Sequence, residues 1–238
     1  MQSIQGKKAL IVGATGGIGQ ETSKLLKQSG ANLWVAGRNQ EKLQALQAQL
    51  SLPDDQVLSV DLEDPSSIEQ MLAAVLADGK APDIYINAAG IGIIQPIEQL
   101  ELSSFQRLIQ INLIASYQLL HGLLPAMKAT KQGLIIHIPG VLGKAPMAGA
   151  SAYAASKYGL NGMIKSLREE VKRTEIRFTN LYLGGVDSAF WDNIDLRVQR
   201  NRMILATEAA RSVWFLCQQP SSGVVAELVV QPFNHQVL

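Results

Sequence analysis

The 238-residue sequence predicts an α/β fold with a doubly wound, seven-stranded parallel sheet and helices on both of its faces. Three observations predict it. Seven short runs are apolar almost throughout, as expected of strands buried on both faces of a parallel sheet. Longer segments with helical periodicity separate these runs, and a glycine-rich loop follows the first run. In such folds the ligand crevice lies at the carboxyl ends of the strands.

The elements follow one another along the chain. The apolar runs that predict strands are residues 9–13, 32–37, 56–61, 83–87, 133–138, 176–182 and 224–230. The segments that predict helices are residues 17–29, 40–50, 65–78, 103–129, 151–173 and 207–218. The third helix has the clearest start, because Asp64 can cap it and Pro65 suits the first helical position. No linker-like stretch or repeat divides the chain, so we expect a single domain over residues 1–238.

Composition excludes several function classes. Lys and Arg number 21 against 20 Asp and Glu, with no basic run, so we expect neither a nucleic-acid nor a membrane partner. The single cysteine, Cys217, lies in an apolar stretch and predicts a buried thiol. Apart from His137 in a predicted strand, the histidines are His121 and His235, which have no partners at ligand spacing, so no metal site is expected. With no membrane-length apolar run or signal peptide, we expect a soluble, cytoplasmic protein.

A glycine loop follows the first predicted strand. Gly13, Gly17 and Gly19 permit a tight turn and close approach of the backbone to a pyrophosphate at the start of a helix. The spacing is G-x-x-x-G-x-G, which differs from the usual dinucleotide fingerprint and from a P-loop. A plain turn is the alternative, but the position between a buried strand and a helix favours phosphate binding.

The second and third strands end in polar residues. Arg38 stands where an acid would bind the ribose of NAD, and its guanidinium suits a 2′-phosphate, which predicts NADP(H) in preference to NAD(H). An ordinary solvated arginine is the alternative. Asp61, followed by Leu62, can meet the adenine amino group or cap the next helix.

Five motifs together resemble the short-chain dehydrogenase/reductase family, in its single-domain, Rossmann-type branch. They are the glycine loop, Asn87-Ala88-Ala89-Gly90, Asn112, Tyr153-Ala-Ala-Ser-Lys157, and the segment from Leu183 to Ser188. The resemblance spans essentially the whole chain. It implies that the cofactor is bound by Gly13, Thr15, Gly17, Ile18, Gly19, Arg38, Asp61, Leu62, Asn87, Ala88, Gly90, Tyr153, Lys157, Gly184, Val186 and Ser188.

The resemblance also implies catalytic roles. Tyr153 would exchange a proton with the substrate oxygen, and Lys157 would favour the tyrosinate as a nearby ammonium while binding the nicotinamide ribose. Asn112 would hold a water that links the lysine to solvent. Without the resemblance, Asn112 is a tolerated polar residue in a helix and Tyr153 is packing at a helix start.

The sequence departs from the family pattern at two places. Gly140 occupies the position of the catalytic serine, and Leu183 replaces a proline. Loss of the serine hydroxyl removes one donor to the substrate oxygen, worth about 100- to 1000-fold in rate. A water, a substrate hydroxyl, Ser151 or His137 are possible replacements. Residues 185–205 correspond to the variable substrate loop, where Phe190 and Trp191 either line the pocket or anchor the loop.

The sequence is compatible with two functions. The first is an NADP(H)-dependent oxidoreductase that reduces a ketone or aldehyde, or oxidises the matching alcohol, by hydride transfer. The second is a non-catalytic NADP-binding sensor or partner subunit that has lost the serine. The predicted helices 103–129 and 151–173 are apolar around much of their circumference. The family pairs these helices, so a homodimer or homotetramer is expected.

Overall fold

The computed structural model describes residues 2–194, 196–220 and 222–238. Its nine strands are β1 (Lys8–Val12), β2 (Asn32–Gly37), β3 (Val57–Ser59), β4 (Ile84–Asn87), β5 (Gln132–His137), β6 (Glu175–Leu183), β7 (Val186–Asp187), β8 (Ile204–Leu205) and β9 (Glu227–Val230). Seven of them form one parallel sheet in the order β3-β2-β1-β4-β5-β6-β9, and β7 pairs with β8. The predicted doubly wound sheet is therefore confirmed.

Seven α-helices accompany the strands. They are α1 (Gly17–Gln28), α2 (Gln40–Leu50), α3 (Pro65–Val75), α4 (Leu102–Ile109), α5 (Ala115–Thr130), α6 (Ser151–Val171) and α7 (Ala206–Cys217). Side chains of α1, α2 and α7 pack in the core on one face of the sheet, and those of α3, α5 and α6 pack on the other. Within the described ranges, none of the helices has the length and apolar character needed to cross a membrane.

The alternation of β1 shows why its run is apolar throughout. Ala9 and Ile11 belong to the core on the α1 and α7 face, whereas Leu10 and Val12 belong to the core on the opposite face. All four are fully buried. A strand covered on both faces needs apolar residues at consecutive positions, which is the pattern read from the sequence. Cys217 is buried as predicted, and burial raises the pKa of its thiol to about 12.

Some predicted boundaries are wrong. The segment 103–129 is not one α-helix, because a π-helical turn, Gln110–Ile114, separates α4 from α5. The third and last strands are shorter than predicted, since Gln56 lies in a 3-10 turn and β9 begins only at Glu227. The β7–β8 ladder was not predicted, because two-residue strands leave no periodic signal.

The strand order places a crevice at one edge of the sheet. β1 has β2 on one side and β4 on the other. The chain therefore builds the sheet outward from β1 to β3, and then crosses back to β4 and continues in the opposite direction. The register pairs Val12 with Asn87, and Asn87 with His137, so these strands end at the same edge. The loops that follow β1, β4, β5 and β6 therefore converge there, as expected at a topological switch point.

Candidate active site

A cavity of about 940 Å³ lies at this edge of the sheet. Many of the predicted site residues line it, namely Thr15, Gly17, Ile18, Ala88, Gly90, Gly140, Tyr153, Lys157, Gly184, Val186 and Ser188. Gly13, Gly19, Arg38, Asp61, Leu62, Asn87 and Asn112 are described but lie outside its lining. The structure thus brings together residues that are far apart in sequence, and the remaining predicted ones lie behind the cavity wall or beyond it.

The glycine loop brings backbone against backbone. Gly13 has a positive φ of +85°, and a Cβ there would lie 2.5 Å from the nitrogen of Ala89. A Cβ at Gly19 would lie 2.2 Å from the carbonyl oxygen of Gly13. α1 begins at Gly17, and its N-cap residue Gly16 makes no side-chain capping bond. The amides of the first turn therefore stay available to an anion in the cavity, as in dinucleotide sites.

The adenosine side of the predicted site is open. The Arg38 side chain is 62% exposed, and its Nη1 lies 3.6 Å from Oε2 of Glu63. Glu63 is held more closely by Arg107, whose Nε lies 3.0 Å from Oε1. Asp61 does not cap α3, since Asp64 does so by accepting a bond from the Ser66 amide. Asp61 instead accepts a bond from the Glu63 amide at 3.0 Å.

Asn87 and Ser188 support the loops around the cavity. The Asn87 amide nitrogen donates to the hydroxyl of Ser116 at 2.9 Å, and its oxygen accepts from the Ala89 amide at 3.1 Å. Asn87 therefore shapes the loop that carries Ala88 and Gly90. A Cβ at Gly17 would lie 2.9 Å from the Cβ of Ser188, which puts Ser188 directly beside the start of α1.

Tyr153 and Lys157 occupy successive turns of α6. The Lys157 ammonium lies 5.5 Å from the centroid of the Tyr153 ring, and the lysine is only 3% exposed. Gly90 leaves room for it, because a Cβ there would lie 3.2 Å from both Lys157 Nζ and Asn112 Oδ1. Within the described residues the ammonium makes no protein hydrogen bond. A buried cation that faces a cavity without a partner suits a polar ligand group.

Burial sets the pKa values of this pair. It raises the pKa of Tyr153 above the usual value for a phenol and lowers the pKa of Lys157 to about 8. Desolvation is the only cause of the Tyr153 shift, so the lowering of its pKa by Lys157 that the resemblance implies stays a prediction. Tyr153 is half-buried and lines the cavity.

The buried Lys157 predicts a pH-dependent stability. An unfolded lysine titrates near 10.5, so between about pH 8 and 10.5 the unfolded chain binds more protons than the native chain. The free energy of unfolding therefore rises with pH in that window. We expect the free energy of unfolding of the native protein minus that of Lys157→Met, measured in urea without cofactor, to rise from pH 7.5 to 9.5. Tyr153→Phe should keep this rise, whereas a constant difference between native and Lys157→Met would contradict the buried cation.

Asn112 lies in the π-helical turn between α4 and α5. Its side-chain oxygen accepts from the Ile91 amide at 2.9 Å, and its nitrogen donates to the Ile91 carbonyl and the Ser156 hydroxyl, each at 3.0 Å. Asn112 thus ties the loop after β4 to α6, next to Lys157. A π turn at such a position is a frequent feature of functional sites.

At Gly140 the backbone conformation, and not only the side chain, differs from what a serine would adopt. Its φ of 69° and ψ of 169° lie in a region that is essentially restricted to glycine. Space is not the obstacle, because a Cβ there would lie 3.5 Å from the Leu183 carbonyl oxygen and 3.9 Å from the Tyr153 hydroxyl. The backbone next to the tyrosine therefore has a conformation that serine rarely adopts.

The suggested replacements for the serine hydroxyl do not line the cavity. Ser151 is exposed at the start of α6. His137 is fully buried on the face of the sheet that carries Tyr85, and neither ring nitrogen has a hydrogen-bond partner among the described residues. Burial, with a smaller contribution from Lys157, lowers the pKa of His137 to about 3. His137 is therefore a neutral, packed histidine.

The outer wall contains residues that sequence reasoning missed or left open. Phe190 packs against Gly92, and its ring centroid lies 5.9 Å from that of Tyr153. Trp191 also lines the cavity and anchors the segment by donating from Nε1 to the Val186 carbonyl at 2.9 Å. The alternatives of lining and anchoring thus both hold. Lining residues outside the predicted motifs and the predicted loop include Lys42, Ile94, Pro146, Met147, Pro232, Asn234, His235 and Val237, whereas Arg197, Arg202 and Met203 lie in the predicted loop 185–205.

Comparisons with known proteins agree with this architecture. The sequence profile of the family described as short chain dehydrogenase matches residues 7–199. A Staphylococcus epidermidis protein named as an uncharacterized oxidoreductase is 29% identical over 232 residues, which are 98% of this chain and 100% of that protein. Nodulation protein G of Rhizobium sp. (strain N33) is 28% identical over 239 residues and 96% of each chain.

Solved structures give the same result. A metagenomic short-chain oxidoreductase in complex with NADP superposes with a TM-score of 0.83 and 30% identity, covering 97% of this chain and 99% of that one. An alcohol dehydrogenase from the archaeon Thermococcus sibiricus, complexed with 5-hydroxy-NADP, has a TM-score of 0.87 at 23% identity over 98% and 99% of the two chains. The profile match covers most of the sequence, and the chain therefore belongs to the short-chain dehydrogenase family of oxidoreductases.

Proposed function

We propose that the protein is an NADP(H)-dependent oxidoreductase that reduces a ketone or aldehyde, or oxidises the matching alcohol, by hydride transfer with Tyr153 as proton donor and acceptor. The observation that carries this proposal is the pair of Tyr153 and Lys157 on one wall of the cavity. A domain that only bound a cofactor would have little physical need for a buried lysine without a protein partner beside a tyrosine.

The residues around the cavity fit a dinucleotide. The close backbone contacts at Gly13 and the uncapped start of α1 would hold its pyrophosphate, and Lys157 would hold the nicotinamide ribose. Ser188 and Gly184 would border the nicotinamide. When bound, NADPH supplies the hydride that reduces the carbonyl carbon.

Tyr153 would donate its proton to the carbonyl oxygen as negative charge develops there. Its raised pKa keeps it protonated near neutral pH, which suits reduction more than oxidation. Lys157, with its pKa near 8, would stabilise the resulting tyrosinate and pass a proton back to it. Asn112 would position Lys157 through its bonds to Ile91 and Ser156.

Arg38 supports a preference for NADPH. Its guanidinium is exposed and only loosely paired with Glu63, which Arg107 already binds. We expect Arg38→Gln to raise the Kd of NADPH by about tenfold or more, since a charge-assisted contact is lost, and to leave the Kd of NADH unchanged. Fluorescence titration of both cofactors measures this.

The control for Arg38 is Arg173→Gln. Arg173 is also an exposed arginine, but it precedes β6 and therefore lies at the opposite edge of the sheet. The Arg173→Gln variant should bind NADPH and NADH with the same Kd values as the native protein. Equal weakening of NADPH and NADH in Arg38→Gln would indicate that Arg38 does not read the 2′-phosphate.

The alternative function is a non-catalytic NADP-binding sensor or partner subunit. The conformation of Gly140 favours it, because a serine cannot return there without a change in the backbone. The two functions differ in turnover. NADPH oxidation by the native protein over a panel of ketones, aldehydes, enones and imines would support the reductase, and its absence over the whole panel would support the sensor.

We also propose that the protein is a homodimer or homotetramer. Exposed apolar side chains lie on the elements expected to pair, among them Leu102, Ile114, Tyr117 and Tyr158. Such a surface favours association.

A further inference from the structure

The cavity is positively charged although the chain is nearly neutral. Among the described lining residues the charged side chains are Lys42, Lys157, Arg197 and Arg202, and none is Asp or Glu. The whole chain carries 21 basic and 20 acidic residues. The excess of cations at the cavity is therefore a property of the site and not of the composition, and it favours anionic ligands.

Two of these cations belong to the cofactor side of the proposed site. Lys157 lies beside Tyr153. Lys42 is in α2 and also borders a small recess with Ala14, Thr15 and Gly17, close to the glycine loop. These two lysines face the groups that a bound dinucleotide would present. Arg197 and Arg202 have no such assignment.

Arg197 and Arg202 come from the variable segment 185–205. Other residues of this segment that line the cavity are Phe190, Trp191, Leu196, Val198, Gln199 and Met203. The two arginines therefore line the cavity from a different segment than the glycine loop, Tyr153 and Lys157.

Arg200, from the same segment, is an arginine with a structural role, because carboxylates of the segment bind it. It does not line the cavity, and it is bound by Asp187 at 2.6 Å, Asp192 at 2.7 Å and the Ser188 carbonyl at 3.1 Å. Among the described residues, no carboxylate oxygen lies within 4.0 Å of Arg197 or Arg202. Within the part of the chain that the structure describes, the segment thus pairs Arg200 with carboxylates and leaves Arg197 and Arg202 without a carboxylate partner.

The segment also holds these arginines in a defined frame. β7 pairs with β8, Trp191 donates to the Val186 carbonyl, and Arg200 ties Asp187 to Asp192. An anchored frame lowers the entropy lost when a ligand binds. The lining also contains apolar side chains, among them Ile94, Leu142, Met147 and Phe190, whose ring lies beside Tyr153.

We propose that the carbonyl substrate carries an anionic group, a carboxylate or a phosphate, which Arg197 and Arg202 bind while its carbonyl lies at Tyr153. This inference rests on the proposed reductase function. The planar guanidinium matches both anions with paired hydrogen bonds, which a lysine does not provide. The apolar side chains of the same cavity favour a hydrocarbon spacer between the carbonyl and the anion.

The test compares carbonyl substrates that carry an anionic group with neutral partners that share the same carbonyl end. NADPH oxidation is measured with 4-oxopentanoate and 6-oxoheptanoate against their methyl esters, and with hydroxyacetone phosphate against hydroxyacetone. The proteins are native, Arg197→Gln/Arg202→Gln and the control Arg173→Gln. We expect native kcat/KM to favour at least one anion by about tenfold or more, and the double variant to lose this preference. Arg173→Gln should keep it. The carboxylate and phosphate arms show which anion is recognised.

Two results would overturn the inference. One is equal kcat/KM for every anion and its neutral partner, or a preference that the double variant keeps. The other is an increase in the Kd of NADPH in the double variant as large as the change in KM, because the arginines would then serve the cofactor.

A binding measurement separates this inference from the proposed function. If no carbonyl compound is reduced, the reductase function fails. Calorimetric titration of the NADP⁺-loaded protein with 4-hydroxypentanoate, 6-hydroxyheptanoate, 1,2-propanediol phosphate and their neutral partners then decides the anion site by itself. Tighter binding of an anion that the double variant loses supports the inference, and equal binding of all the pairs overturns it.

Discussion

Tyr153→Phe is expected to lower kcat/KM for carbonyl reduction by about 100- to 10,000-fold, because it removes the only proposed proton donor to the substrate oxygen. The hydroxyl makes no protein hydrogen bond among the described residues, so its removal should leave the free energy of unfolding nearly unchanged. Affinity for NADPH should also change little, since the glycine loop and Lys157 remain. Steady-state kinetics, urea unfolding and fluorescence titration measure the three quantities.

Tyr158→Phe is the matched control for this variant. Tyr158 lies on the same helix and is exposed, at 44% of its surface. The Tyr158→Phe variant should reduce the same substrates at the native rate. Native-like turnover by Tyr153→Phe would contradict the assignment of Tyr153 as proton donor and would require another acid in the cavity.

Gly140→Ser is expected to destabilise the protein and not to raise its activity. Serine would have to adopt a φ of 69° and a ψ of 169°, which costs about 1–3 kcal/mol in the free energy of unfolding. A backbone change that relieves this strain would move the peptide next to Tyr153. We therefore expect lower stability in urea and a kcat/KM no higher than that of the native protein.

Gly140→Ala separates the backbone effect from the hydroxyl. Its Cβ meets the same neighbours, the Leu183 carbonyl and the Tyr153 hydroxyl, at ordinary distances. The two variants should lose similar stability. A Gly140→Ser variant that is as stable as the native protein and turns over faster would contradict the proposed constraint, and would mean that only the hydroxyl was missing.

The sequence predicted secondary structure best where the pattern is local and repeated. The strands of the central sheet and the start of α3 at Asp64 and Pro65 follow from such patterns. The π turn around Asn112 was missed, because the segments on both sides of it are helical and the apolar residues of 103–129 do not mark where the hydrogen-bonding pattern changes. The cavity wall from residues 232–237 was missed because it is a loop without periodicity, whereas residues 196–203 lie in the substrate loop that was expected at 185–205.

The sequence by itself determined the fold class and the spacing of the central motifs. Apolar runs on both faces require a covered parallel sheet, and an i, i+4 spacing places Tyr153 and Lys157 on one face of a helix. These properties depend only on neighbouring residues along the chain, and the family resemblance rests on the same motifs.

Only the tertiary structure decided the chemical environment of these motifs. The pKa of Tyr153 is raised because distant segments bury it, and sequence spacing to Lys157 could not reveal that desolvation would dominate. Gly140 was read as a missing hydroxyl, whereas its positive φ depends on how the loop after β5 packs against β6 and α6. The cationic cavity likewise results from arginines and lysines that only folding brings together, because electrostatic fields add through space and not along the chain.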